Sequence, residues 1–289
     1  MEVSNTIVPK KWKEIITPQS NIFSLNFKEI WEYRDLLFIL MKRDVFAIYK
    51  QTIFGPLWFF IQPILTTATF VIVFSRVAQL STSGLPPILF YMSGIVIWSY
   101  FSECIMRTST FLKDNTGILS KVYFPRIIVP LSLVVTNLVK FSIQLLLFLI
   151  VYFYYLFTTP DVIQPNLYAL LLPVLIILIA GLGLGTGIII SSLTTRYKDL
   201  IHLTTFGVQL LMYGSAVIYP LSGFKGSKYE IFILANPMTG IIETFRYGFL
   251  GIGQFSWLLL GYDALCVLFF LVLGVVVFNS IEKNFVDTI

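Results

Sequence analysis

GILSKVYFPRIIVPLS, residues 117–132, is a short basic connector between two strongly apolar stretches, and the rest of the chain arranges itself around it. Lys121 and Arg126 carry its charge, and Pro125 and Pro130 bracket the point where the next apolar run begins. Proline removes a backbone N–H and biases the residue before it away from helix, so the connector is expected to bend and then restart a helix. It reads as a rigid elbow. Two roles fit its spacing: a positively charged cytoplasmic loop that fixes topology, or a lever moved by a cytoplasmic partner.

The surroundings of the elbow belong in a bilayer. Of 289 residues, 57% are hydrophobic and 12% charged, with 27 Phe and a mean hydropathy of +0.85, far from the usual composition of a soluble domain. Six apolar segments, 53–74, 88–106, 127–157, 168–193, 201–219 and 257–278, are each close to or above the length needed to span. With both termini in the cytoplasm, 15 Lys and Arg fall on inner segments and 4 on outer ones, and that bias sets the expected orientation. Cys104 and Cys266 both lie in apolar runs, which speaks for small buried side chains rather than a disulfide framework or a metal cluster. The first apolar run comes late and is flanked by charges, so no secretory signal peptide is expected.

In chain order, the expectation is a polar cytoplasmic tail over 1–26, one transmembrane domain over 27–279 and a second cytoplasmic tail over 280–289. From 27 to 46, Phe27, Ile30, Trp31, Phe38, Met41 and Val45 alternate with Lys28, Glu32, Asp35 and Lys42 at helical spacing, which predicts an amphipathic helix lying in the membrane interface. Between the fifth and sixth segments, 228–234 and 237–249 read as two half-helices, with Asn236 as cap and Pro237 in the first helical position. Such an outer re-entrant hairpin is tolerated at membrane depth only where it packs on protein or lines water. The fold class is therefore an all-α membrane protein with six transmembrane helices.

Few residues carry chemistry. Gly181, Gly183, Gly185 and Gly187 make two interleaved small-xxx-small pairs suited to close helix packing. The same GLGLGTG run lacks the spacing and the preceding strand of a dinucleotide site, and the chain has no Walker A pattern. With a single His202, neither a metal centre nor a Ser-His-Asp arrangement can be assembled. Glu103 and Arg107, Lys140 and Asp263 are ionisable residues inside expected spans, read either as functional groups or as a local ion pair and a snorkelling lysine. Glu243 and Arg246 are spaced to pair on the second half-helix. Phe59, Gln62, Thr66 and Thr69 share one face of the first span, Tyr91 and Trp98 one face of the second, and Phe206, Gln209 and Tyr213 one face of the fifth. Amide and hydroxyl groups interleaved with aromatic rings suit a long hydroxyl-rich solute such as a glycan, and they equally suit hydrogen bonding between helices.

The motifs RDLLFILMKRDVFAIYKQTIFGPLWFFIQP (34–63), YMSGIVIWSYFSECI (91–105), KVYFPRIIVPLS (121–132), TTRYKDL (194–200), ANPMTGIIETFRYGFLG (235–251) and FNSIEKNFVDTI (278–289) follow one another along nearly the whole chain. In this order they resemble the membrane permease of ATP-binding-cassette transporters that export cell-surface polysaccharide such as O-antigen, capsule or teichoic acid. The resemblance implies a homodimer in the bacterial cytoplasmic membrane with two separate ATPase subunits on its inner face. The chain itself would hold no cofactor, ATP and Mg being bound by the partner, and nucleic acid would play no part. It implies that Arg34, Lys42 and Arg43, then Lys121, Tyr123, Phe124, Pro125 and Arg126, and to a lesser degree Arg196, Lys198 and Asp199, receive the motion of the ATPase. On the outer side Asn236, Pro237, Glu243 and Arg246 would belong to a gate. The function implied is ATP-driven export of a lipid-linked polysaccharide through a channel between subunits, with no covalent chemistry in this chain. The alternatives from other classes are an exporter permease for drugs or lipids and a membrane-embedded transferase acting on lipid-linked sugar.

Overall fold

The computed structural model describes residues 27–50, 55–119, 121–122, 124–195, 197 and 199–282. Both expected tails, apart from 280–282, and residues 51–54 lie outside that set. Twelve α-helices follow in order: α1 (Phe27–Glu32), α2 (Arg34–Lys50), α3 (Trp58–Phe70), α4 (Pro87–Ser109), α5 (Phe111–Asp114), α6 (Thr116–Leu119), α7 (Ile128–Thr158), α8 (Leu172–Thr194), α9 (Leu200–Tyr213), α10 (Glu230–Leu234), α11 (Pro237–Leu250) and α12 (Trp257–Glu282). There is no strand among the described residues. Five helical stretches are long and apolar enough to cross a membrane: Trp58–Val77, Pro87–Ser109, Ile128–Thr158, Leu167–Thr194 and Trp257–Ser280. The protein is a multi-pass membrane protein.

The interface helix forms in two pieces around Tyr33, across which the backbone bonding continues. Its apolar residues point two ways. Leu36, Leu37 and Leu40 pack onto the elbow with Phe111, Leu112, Leu119, Phe124 and Ile128, while Trp31, Phe38, Ile39 and Phe46 are exposed. The end of the protein that holds the elbow is thus a small second core that joins α2 to it, and Ile188 of α8 and Phe278 of α12 enter the same cluster.

The main core is built on α4. In its spanning window 78% of residues are buried, against 17% in the span formed by α3 and its wide-turned continuation Val71–Val77. α8 explains how helices come so close to it. A Cβ on Gly183 or Gly187 would lie 2.5 Å from Cys104 or Thr108 of α4, while one on Gly181 or Gly185 would lie 2.7 Å from Val267 or the Phe270 backbone of α12. The two interleaved glycine pairs serve two different neighbours, one on each side of α8.

The fifth apolar segment differs from its expected extent. The run 201–219 yields α9 with 14 residues, about 21 Å of helix where a hydrocarbon core of ~30 Å must be crossed. Beyond Gly214 the chain leaves the helix, yet Ser215, Ala216 and Val217 are wholly buried. Irregular backbone in such a place needs partners for its carbonyls. The α10–α11 hairpin supplies them: Asn236 Nδ2 donates to Leu211 O and Gly214 O, both at 3.3 Å, and Arg246 donates to Ala216 O and Val217 O.

Candidate functional site

Two lightly packed helices flank the buried one. α4 contacts both α3 and α9, and residues 99, 102, 103, 106, 107 and 110, at spacings of three and one, are its incompletely buried positions over the inner half. They form one face. Thr205 of α9 lies against Met106, Oγ1 to Sδ 4.0 Å, on one edge of that face. On the other edge Lys140 of α7 donates to Glu103 Oε1 at 2.5 Å and stands 5.6 Å from the ring of Phe59 on α3. The result is a groove toward the elbow end, floored by α4 and walled by α9 and by α3 with α7.

The nine residues of the polar-aromatic stripes divide between the wall surfaces and the interior. Gln62, Thr69, Phe206, Gln209 and Tyr213 are exposed and Thr66 is half-buried. Phe59, Tyr91 and Trp98 are buried. Tyr91 meets Phe70 and Phe74 of the α3 span at ring-centroid distances of 6.2 and 6.3 Å, so it fastens α4 to that span from within. The hydroxyls of Thr66 and Thr69 donate to Gln62 O and Leu65 O on their own helix, both at 2.9 Å. Their amphipathic face is therefore not consumed by bonds to a neighbouring helix within the subunit. Thr67 and Val208 are the buried positions next to these stripes.

The charged residues in the groove add one partner to their sequence reading. Glu103 and Arg107 form the expected i,i+4 ion pair, at 4.0 Å and beyond hydrogen-bond distance, whereas Lys140, read either as a functional group or as a snorkelling lysine, holds the other carboxylate oxygen. The signal for that bridge lay on two residues 37 apart, on different helices, and has no local spacing.

At the elbow end, expected to face the cytoplasm, Arg34, Lys42 and Lys121 are exposed. Arg34 stacks 5.6 Å from Trp31, and Arg43 bonds Asp44 at 2.8 Å and reaches Asn115 Oδ1 at 3.3 Å, tying α2 to the connector. Pro125 and Arg126 are half-buried, Asp199 is exposed at the head of α9, and Phe124 is 6% exposed inside the inner core. Tyr123, Arg196 and Lys198 lie outside the described residues. Basic groups here form an outward surface on a packed base, with Phe124 part of the base.

The α10–α11 hairpin, expected on the outer side, is a dense polar clasp. Asn236 caps α11, accepting from Met238 N at 3.1 Å, Pro237 follows, and Gly251 closes the helix in a left-handed conformation (φ 73°). Arg246 is 1% exposed, lies 3.8 Å above the Phe90 ring, and donates to Phe90 O at 3.2 Å, Ser93 Oγ at 3.1 Å and Val217 O at 2.8 Å, as well as to Ala216 O and, at 3.4 Å, Glu243 Oε1. Glu243 Oε2 accepts from Gln254 N at 3.1 Å. Burial draws the guanidinium below its usual range, to about 10, with Glu243 pulling the other way, so it stays charged at neutral pH. The pair locks α4, the end of α9, α11 and the 251–254 turn to one another.

A buried α4 flanked by the exposed α3 span and by the shorter α9, beside a basic surface at one end, is the architecture of a multi-pass membrane protein. Residues 35–250 match the family model described as ABC-2 type transporter, and the chain belongs to the ABC-2 type transporter family. It is 28% identical over 220 residues to the O-antigen export system permease protein RfbA of Myxococcus xanthus, covering 76% of this chain and 82% of that one. To the protein of the same name from Klebsiella pneumoniae it is 25% identical over 255 residues, covering 88% and 94%.

Proposed function

We propose that the chain is the permease subunit of an ATP-driven exporter that moves lipid-linked cell-surface polysaccharide of the O-antigen kind across the cytoplasmic membrane. The observation that carries this reading is the similarity, over nearly their full length, to permeases named for O-antigen export. α3 and α9 support it: they carry polar and aromatic side chains on faces that one copy of the chain leaves open, as two copies enclosing a conduit would require. In this reading both termini are cytoplasmic, α9 with residues 214–219 makes the sixth crossing, and α10–α11 re-enters from the outer side as a gate. Two copies act with two ATPase subunits, which bind ATP and Mg and dock on α2 and the elbow.

Depleting the chain in its native cell tests the reading. Surface polysaccharide should fall while its lipid-linked form accumulates on the inner side, and the purified chain should hydrolyse ATP only when its ATPase partner is added. Unchanged surface polysaccharide after depletion overturns the proposal.

A further inference from the structure

The groove holds more positive charge than it balances. Lys140 and Arg107 share the single carboxylate of Glu103, and Lys140 takes it: one oxygen accepts from Nζ at 2.5 Å, while the other stands 4.0 Å from Arg107 Nε. Among the described residues Arg107 makes no hydrogen bond, and its side chain is 44% exposed, against 15% for Lys140. A planar guanidinium with a free fork thus projects from the floor of the groove, as the one exposed residue of the half-buried face of α4.

An arginine near the inner end of a span often does no more than anchor the helix in headgroups. The surroundings of Arg107 differ from that case. Its helix is the most buried of the five spanning stretches, its face lies between α9 on one edge and α3 and α7 on the other, and Glu103 beside it is held by a bond from a third helix. That bond fixes the carboxylate toward Lys140 and leaves the local charge at plus one. A half-exposed surplus cation in the last turn of a spanning helix attracts an anion, and the bidentate geometry of guanidinium matches phosphate.

We propose that Arg107, backed by the Glu103–Lys140 pair, is a receptor for a lipid-borne phosphate that enters the groove from the inner leaflet. Resting on the export reading above, the phosphate would be the one joining glycan to its lipid; an anionic phospholipid headgroup offers the same chemistry. Arg107 contacts the phosphate, and Glu103 and Lys140 are positioning residues.

The full chain with its ATPase partner, in phosphatidylcholine nanodiscs, is titrated with a short-chain polyprenyl diphosphate, the uncharged polyprenol of equal length, and phosphatidylglycerol. Arg107→Gln should weaken diphosphate binding about tenfold or more and leave polyprenol unchanged; Arg107→Lys should retain part of the binding, which also covers the case in which Arg107→Gln fails to fold. Glu103→Gln removes the opposing charge and should tighten diphosphate binding several-fold, a gain that a purely structural role does not give. Loss of diphosphate binding alone assigns the site to the polyprenyl carrier, and equal loss for phosphatidylglycerol assigns it to bulk headgroups. Wild-type affinity in Arg107→Gln, or no gain in Glu103→Gln, overturns the inference while surface export still depends on the chain. Failure of the export reading is read separately, from the depletion experiment.

Discussion

Two Glu–Arg pairs stand one helical turn apart on their helices, Glu243–Arg246 on α11, the expected outer pair, and Glu103–Arg107 on α4, the expected inner one, and they have come to opposite ends. In the outer pair both side chains are at most 2% exposed, and the guanidinium has partners on α4, on the chain beyond α9 and on its own helix. In the inner pair the arginine has its carboxylate drawn away by Lys140 and its fork left open. A guanidinium surrounded by carbonyls is a structural rivet, because removing it strands several buried acceptors at once. One that is charged, half-exposed and poorly matched remains available to a ligand. Local spacing is common to both pairs, and the neighbouring elements separate them.

The sharpest way to break this comparison is to remove the rivet. Arg246→Gln leaves Ala216 O, Val217 O and Glu243 Oε1 without their guanidinium donor in a buried place, at a cost of about 3–5 kcal/mol. The expected outcome is a large drop in the thermal midpoint of the detergent-purified protein, or loss of folded protein from the membrane. Arg246→Lys should rescue little, since an ammonium cannot span the same set of acceptors. A variant as stable as the parent would remove the distinction between the two arginines.

A gentler test leaves every charge in place. Gly94 faces the clasp from α4, and a Cβ there would lie 2.9 Å from Arg246 Nη2 and 3.1 Å from Val217 Cα and O. Gly94→Ala should therefore push the chain beyond α9 off the guanidinium and cost about 1–3 kcal/mol by overpacking. The same measurement of thermal midpoint checks it, and the shift should be smaller than for Arg246→Gln and larger than for any change at Arg107.

Much of the architecture was legible because it depends on local composition. The apolar runs, the Asn236–Pro237 helix start and the glycine spacing of α8 each signal their own geometry. What escaped was set by partners far along the chain. α9 stops at Tyr213, where Asn236 takes the carbonyls of Leu211 and Gly214 and Arg246 those of Ala216 and Val217, and an apolar count over 201–219 cannot register that. Phe59, Tyr91 and Trp98 share helical faces with exposed residues, but their burial follows from how α3 and α7 pack on α4. Phe124 carries the aromatic character of an exposed docking residue in the sequence, and the fold of α2 over the elbow turns it into core. Lys140 had no visible partner until α4 and α7 lay side by side.

The smallest expected effect is at the inner pair, and it decides whether that pair is a structural element at all. Arg107 sits 4.0 Å from Glu103 with 44% of its side chain exposed, so their attraction is weakened by solvent screening, and the lost contact is worth about 0–1 kcal/mol. Arg107→Gln should leave the thermal midpoint of the ligand-free protein nearly unchanged, and added salt should shift parent and variant together. The Lys140 bridge persists in the variant, since Glu103 loses only its weaker partner, and so the floor of the groove keeps its shape. If the midpoint instead falls as far as it does for Gly94→Ala, the inner arginine is holding helices together as the outer one does. The two pairs would then differ in exposure but not in kind.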